Sequence, residues 1–173
     1  MRELNTERLH LRYLTAGDAQ TMFDTWTSDP EVPKYMTWNV HEDVSETKRI
    51  LEGWLNEYGK PDCFRYGIEL KSTGELIGMI DVVGYRDGCP DIGYCSGKRF
   101  WGNGYMTEAL KSVRDELFAN GYDTLLIEAV KENTGSNRVI QKCGFELTGS
   151  ELKSLSGIKP EPVMINSYRL KRN

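Results

Sequence analysis

Asp91-Ile92-Gly93-Tyr94-Cys95-Ser96 followed by Gly97-Lys98-Arg99-Phe100-Trp101-Gly102-Asn103-Gly104 and Tyr105-Met106-Thr107-Glu108-Ala109 reads as a strand, a glycine-bearing loop and a helix. The helix is the best-marked element of the chain. Met106, Ala109, Leu110, Val113 and Leu117 recur at helical spacing, and Asn120-Gly121 supplies the stop. A glycine loop at a helix N-terminus aims free N–H groups and the positive helix end at an anion, and glycine permits positive φ and close approach. A phosphate or pyrophosphate is the natural ligand, and Thr107 in the first turn adds a hydroxyl. A triphosphate-binding P-loop is excluded because no Gly-Lys-Ser/Thr follows. A dinucleotide fingerprint fails too, since Thr107 stands where its third glycine belongs and a meander precedes the loop.

Working outward, strands and helices alternate, which predicts a mixed α/β fold. Arg8 to Leu14 has strand alternation, and Thr15 with Asp18 opens a helix running to about Thr27. Ser28 to Pro33 is a loop with two prolines, and a second helix spans Glu42 to Tyr58. Phe64 to Leu70, Leu76 to Tyr85 and Asp91 to Ser96 form a meander. Beyond the central helix, Thr124 to Val130 is an apolar strand and Ser136 to Cys143 a short helix closed by Gly144-Phe145. Strands near Phe145 to Leu152 and Val163 to Leu170 complete the pattern.

Composition removes several classes of function. A chain of 173 residues, 39% hydrophobic and 28% charged, suits one globular domain over 1–173. No run reaches the ~20 apolar residues of a membrane helix, and the start lacks a signal peptide's apolar core, so a cytoplasmic location without membrane contact is expected. The net charge of −4 argues against nucleic acid as partner. Residues 24–62 carry nine acidic against four basic side chains, a balance that could attract a cationic substrate or be ordinary solvated helix surface. The four cysteines form no C-x-x-C pair and have no histidine cluster beside them, so neither a metal site nor a disulfide framework is expected. His10 and His41 read as structural or exposed.

Arg99-x-x-Gly102-x-Gly104 resembles the pyrophosphate loop of the GNAT acetyltransferase superfamily, and Asp91 through Ala109 is similar to its RimJ/RimL-type branch. Thr6-Glu7-Arg8-Leu9, Ser28-Asp29-Pro30-Glu31-Val32, Ile127-Glu128-Ala129, Asn133-x-x-Ser136 and Lys142-Cys143-Gly144-Phe145 match further blocks of that pattern in order, from about residue 6 to 149. The resemblance implies a central, mostly antiparallel six- to seven-stranded sheet, splayed between its fourth and fifth strands and flanked by about four helices. It implies acetyl-CoA as co-substrate and an amine acceptor, with no metal. Tyr94 and Cys95 would bind the pantetheine through backbone, Arg99, Gly102, Asn103, Gly104, Tyr105 and Thr107 would hold the phosphates, and Asn133 and Ser136 would lie near the thioester. A monomer or homodimer is expected.

Acetyl transfer to an amine needs a base, an oxyanion donor and an acid for the departing thiolate. Glu128 is the first candidate base, because burial within the apolar Leu125 to Val130 strand would raise its pKa; a structural carboxylate explains it equally well. Asp91 is second and Asp81 third. The tyrosine that many superfamily members carry four residues before the Gly-Phe pair is Ile140 here, so Ser136 is the candidate acid, with a helix-capping hydroxyl as the alternative. Tyr35, Trp38 and Tyr168 are candidate acceptor-lining residues. Lys153 to Val163 departs from the branch's usual ending, leaving the acceptor open between a protein N-terminus and a small amine. A module that holds CoA or acyl-CoA as a sensor without turnover is the competing function.

Overall fold

The computed structural model describes residues 1–172. Its strands are β1 (Leu4–Asn5), β2 (Leu9–Arg12), β3 (Arg65–Leu70), β4 (Glu75–Arg86), β5 (Cys89–Ser96), β6 (Thr124–Val130), β7 (Glu146–Ser156) and β8 (Lys159–Lys171). They form one sheet in the order β1-β2-β3-β4-β5-β6-β8-β7, in which only β5 and β6 run parallel. The eighth strand, beyond the six or seven expected, is the two-residue β1, which pairs with β2.

The parallel pair is the feature that positions the site. β5 and β6 meet only at Asp91↔Leu126 and Ile92↔Ile127. Beyond Ile92 the strands part, while β5 stays paired to β4 through Ser96 and β6 to β8 through Val130. The main chain of Gly93, Tyr94 and Cys95 therefore has no strand partner on its β6 side.

Four helices cover the two faces. On one, α3 (Tyr105–Ala119) and α4 (Thr134–Lys142) bury Leu110, Val113, Leu117 and Ile140 against Ile68, Ile80 and Ile92. Each such side chain contributes about 1.5–3 kcal/mol by leaving water. On the other, α2 (Val44–Leu55) and the composite α1 pack Met22, Trp26 and Leu51 against Met79 and Cys95. The composite α1 runs through a 3₁₀ turn over Ala16–Asp18, an α turn over Ala19–Met22 and a π turn over Phe23–Thr27. Its entry is the expected one, with Thr15 N–H donating to Asp18 Oδ2 at 2.7 Å. Its exit widens because Ser28 N–H and Oγ both donate to the Phe23 carbonyl, at 3.2 and 2.7 Å. Among the described residues no helix is long and apolar enough to cross a membrane.

The largest departure from expectation is at the C-terminal side. The two last strands continue past Leu152 and begin before Val163, pairing Lys153↔Val163, Ser154↔Pro162 and Ser156↔Lys159 around a turn at Gly157-Ile158. Pro160 and Pro162 both lie on the part of β8 that extends beyond β6. There one edge of the strand is free, and a missing N–H breaks no ladder bond on that side.

Candidate active site

The loop before α3 has the geometry of an anion cradle. Gly102 and Gly104 take φ of 77° and 79°, a left-handed conformation that glycine adopts without strain. Asn103 Nδ2 donates to the carbonyls of Phe100 and Trp101, at 3.2 and 3.1 Å, so carbonyls turn inward and N–H groups outward. Among the described residues no acceptor takes the N–H of Gly102, Asn103, Gly104, Tyr105, Met106 or Thr107. Six successive free donors at the N-terminus of a fifteen-residue helix suit a pyrophosphate. Arg8 buttresses the loop: its Nη1 donates to Asn103 O at 3.0 Å, its Nε to Glu108 at 2.7 Å, and it stacks 4.6 Å from the Tyr105 ring. Nothing in the sequence pattern alone pairs Arg8 with Glu108 across a hundred residues.

Not every residue expected at the phosphates is there. Gly102, Gly104, Tyr105 and Thr107 line a cavity of about 670 Å³, together with Asn133 and Ser136. Arg99 turns away, pairing with Glu75 and stacking on Phe100, and Asn103 shapes the loop from outside the cavity.

The first cavity meets a second, of about 590 Å³, at the splay: both are lined by Tyr94, Cys95, Asn133 and Ser136. Asn133 caps α4, its Oδ1 accepting from Ser136 N–H at 3.1 Å, so the helix starts two residues earlier than expected. Ser136 is thus not the cap, and its Oγ is free to meet the Tyr94 hydroxyl at 2.8 Å. Burial raises the Tyr94 pKa, keeping the phenol neutral. Cys95 is buried with its thiol pushed up to about 12, which removes it as a nucleophile at neutral pH.

Tyr168 is a correction. Rather than lining a pocket, it is 1% exposed in the core, and its hydroxyl donates to Asn137 Oδ1 at 2.6 Å. Asn137 also accepts from Asn166 at 2.8 Å and donates to Val130 O and Asn133 O, at 2.9 and 2.7 Å. This saturated network pins α4 across β6 and β8 and so orients Ser136. An aromatic at alternate strand spacing does not disclose which buried amide it will meet.

The second cavity is lined by Tyr35, Trp38, Trp54, Asp81, Asp91 and Glu128, and Tyr35 lines the first cavity too. Glu128 reverses the expected titration. Burial does push its pKa up, but donation from Lys153 and Arg86 outweighs that and leaves the carboxyl below its ordinary range. Arg86 Nη1 reaches Oε1 at 2.6 Å, Lys153 Nζ reaches Oε2 at 2.9 Å, and Ser167 Oγ donates to Oε1 at 3.1 Å. Lys153 comes from the hairpin extension, beyond the strand expected to end near Leu152. Asp91 shares Arg86 at 3.1 Å, and burial moves its pKa upward. No group of three or more His, Cys, Asp or Glu is arranged to hold a metal among the described residues.

A splayed strand pair and a free N–H cradle thus open onto two cavities that meet between them. The family model for the acetyltransferase (GNAT) domain matches residues 8–146, and the chain belongs to the GNAT acetyltransferase family. It is 31% identical over 153 residues to the uncharacterized N-acetyltransferase p20 of Bacillus licheniformis, covering 86% of this chain and 85% of that one. Its fold is similar to that of RimL, a ribosomal L7/L12 α-N-protein acetyltransferase solved with coenzyme A, with a TM-score of 0.85, 18% identity and 98% of each chain covered. The microcin C7 self-immunity acetyltransferase MccE, solved with acetyl-CoA and AMP, superposes with a TM-score of 0.84 at 20% identity, over 96% of this chain and 94% of that one.

Proposed function

We propose that this acetyltransferase moves the acetyl group of acetyl-CoA directly onto a primary amine in a ternary complex. The observation that carries the reading is the meeting of two cavities at Tyr94, Cys95, Asn133 and Ser136. One cavity has the cradle for the phosphates; the other is walled by aromatic and acidic side chains, as an amine would require. RimL and MccE were solved with CoA or acetyl-CoA, which supports the same donor here.

The amine must lose a proton before it attacks, since a lysine-type amine has a pKa of ~10.4. Its lone pair then forms the C–N bond, the carbonyl oxygen takes up charge, and the C–S bond breaks. The Tyr94 N–H, which points away from β4 and has no strand partner toward β6, supplies a donor for that oxygen. Ser136 protonates the departing thiolate, and the Tyr94 phenol, hydrogen-bonded to it, replaces the proton. Glu128 is the weaker candidate for the base because two cations hold its charge; with Asp91 it sets the potential of the cavity wall.

Calorimetric titration with acetyl-CoA, against NADH and ATP as comparison ligands, tests the reading. Selective binding of acetyl-CoA followed by amine-dependent thiol release is expected. A protein that bound acetyl-CoA and returned it unchanged with every amine would be a sensor instead.

A further inference from the structure

One acid of the second cavity has no task in this scheme. Asp81 lies in mid-β4, directly opposite Gly93 of β5, and is 7% exposed. Its Oδ2 accepts from Arg65 Nε at 3.1 Å, while no donor among the described residues takes Oδ1. A Cβ built on Gly93 would stand 3.8 Å from Oδ1 and 2.6 Å from Val83 Cγ1. The absent side chain thus leaves the approach to that oxygen open. Asp81 and Gly93 line the same cavity as Tyr94 and Cys95, so the free oxygen lies one strand away from the splay.

Glu128 is more heavily committed, held by two cations and a hydroxyl; Asp91 has Arg86 alone and is the more exposed of the two aspartates. Arg65, the one cation on Asp81, is divided: its Nη1 bonds Glu57 at 2.8 Å and its guanidinium stacks 4.9 Å from the Trp54 ring. Burial keeps the Asp81 carboxyl above its ordinary range in spite of Arg65.

The walls say what the amine carries. Tyr35, Met36, Trp38 and Trp54 line the same cavity as the acid and give it flat or flexible apolar surface. Lys159, at the tip of the β7–β8 hairpin, donates to the Pro33 carbonyl and so straps the wall holding Lys153 to the wall holding Tyr35 and Trp38. A volume of about 590 Å³ under such a strap suits a small molecule more than a folded polypeptide's end.

We propose that Asp81 receives the ammonium group of the acceptor, and that this acceptor is a small primary amine on a flat apolar body. The inference rests on the acetyltransferase reading above. One ammonium proton passes to Asp81 Oδ1 and on to water; the freed lone pair forms the C–N bond. The C–S electron pair leaves with the sulfur. The second nitrogen proton balances the one that Ser136 gives the thiolate.

The test uses 2-phenylethylamine and its uncharged isostere 2-phenylethanol, titrated by calorimetry into CoA-saturated protein. Wild type is expected to bind the amine at least tenfold tighter than the alcohol. Asp81→Asn, which keeps an acceptor for Arg65, is expected to lose that preference with CoA affinity within twofold. Equal binding of amine and alcohol by wild type, no amine binding, or a preference that survives Asp81→Asn would overturn the inference; the first two need no variant. Failure of wild type to bind CoA at all would instead strike the acetyltransferase reading.

Discussion

The donor and acceptor sides of the splay are built from different materials. On the donor side the working groups are main-chain N–H donors, presented by Gly102 to Thr107 within six consecutive residues. On the acceptor side they are side chains from the 35–38 segment, α2, β3, β4, β5, β6 and the β7–β8 hairpin. A backbone site depends on local conformation and tolerates side-chain change wherever glycine is kept. A side-chain site depends on which distant elements the fold brings together, and each contributor can vary alone. Donor chemistry should therefore be brittle at two glycines, whereas acceptor chemistry should be divisible into separable increments.

The sharpest break of that contrast is Gly102→Glu. A carboxylate beside the cradle repels phosphate, and φ of 77° strains any L-residue by about 1–2 kcal/mol. Acetyl-CoA affinity should fall at least about 100-fold, roughly 2.7 kcal/mol by the tenfold-per-1.4 rule. Gly102→Ala isolates the strain, because a Cβ there meets nothing within 4 Å; affinity should fall no more than about tenfold. Equal losses in the two variants, measured by calorimetry, would mean that conformation and not charge governs the loop. Next in size is Ser136→Ala. Asn133 still caps α4, so acetyl-CoA affinity should hold while kcat falls about 10- to 100-fold, or 1.4–2.7 kcal/mol. Unchanged turnover in a rapid-quench assay would remove the acid role.

The same contrast explains what could be read in advance. The cradle was legible because the two glycines, the strand before them and the heptad-like apolar spacing after them lie in one short stretch. Ser136 was legible as a position but not as an environment: its release from capping depends on Asn133, and its partner Tyr94 lies 42 residues away. Glu128 was misjudged in its titration because Lys153 lies beyond the strand expected to end near Leu152, and only the pairing of the hairpin brings it to the carboxylate. Tyr168 was misplaced because alternation says which face a residue takes, not whether that face is core or cavity. Pairings across a sheet are fixed by register, which local sequence reads only weakly.

Glu128→Gln sharpens the acceptor half. The folded pKa lies below its ordinary value, so the carboxylate stabilises the fold above the unfolded value of ~4.3, and that contribution disappears as pH falls through the folded one. The variant should lose about 1 kcal/mol at pH 7, a magnitude typical of one charged hydrogen bond at a partly exposed site. The gap in Tm should close as pH drops from 5 toward 3, as followed by circular dichroism. The acid limb of turnover should not move. A shifted limb would restore Glu128 as the base and count against Asp81.

Lys159→Ala should have the smallest effect, and it asks whether the acceptor wall is held or merely placed. The ammonium donates to the Pro33 carbonyl from a half-buried position, where desolvation lowers its pKa. A contact of this kind is worth about 0.6 kcal/mol, near threefold, since solvent competes for both partners. Removing it frees the hairpin tip from the segment carrying Tyr35 and Trp38 but touches no group at the junction. The KM for a small amine should thus rise about threefold, with kcat and acetyl-CoA affinity unchanged. A bulkier amine that reacts poorly with wild type should gain relative to the small one, because the strap limits the width of the cavity. If both amines lose equally, the hairpin orders the wall without restricting it, and acceptor size is set instead by the Trp38 and Trp54 rings.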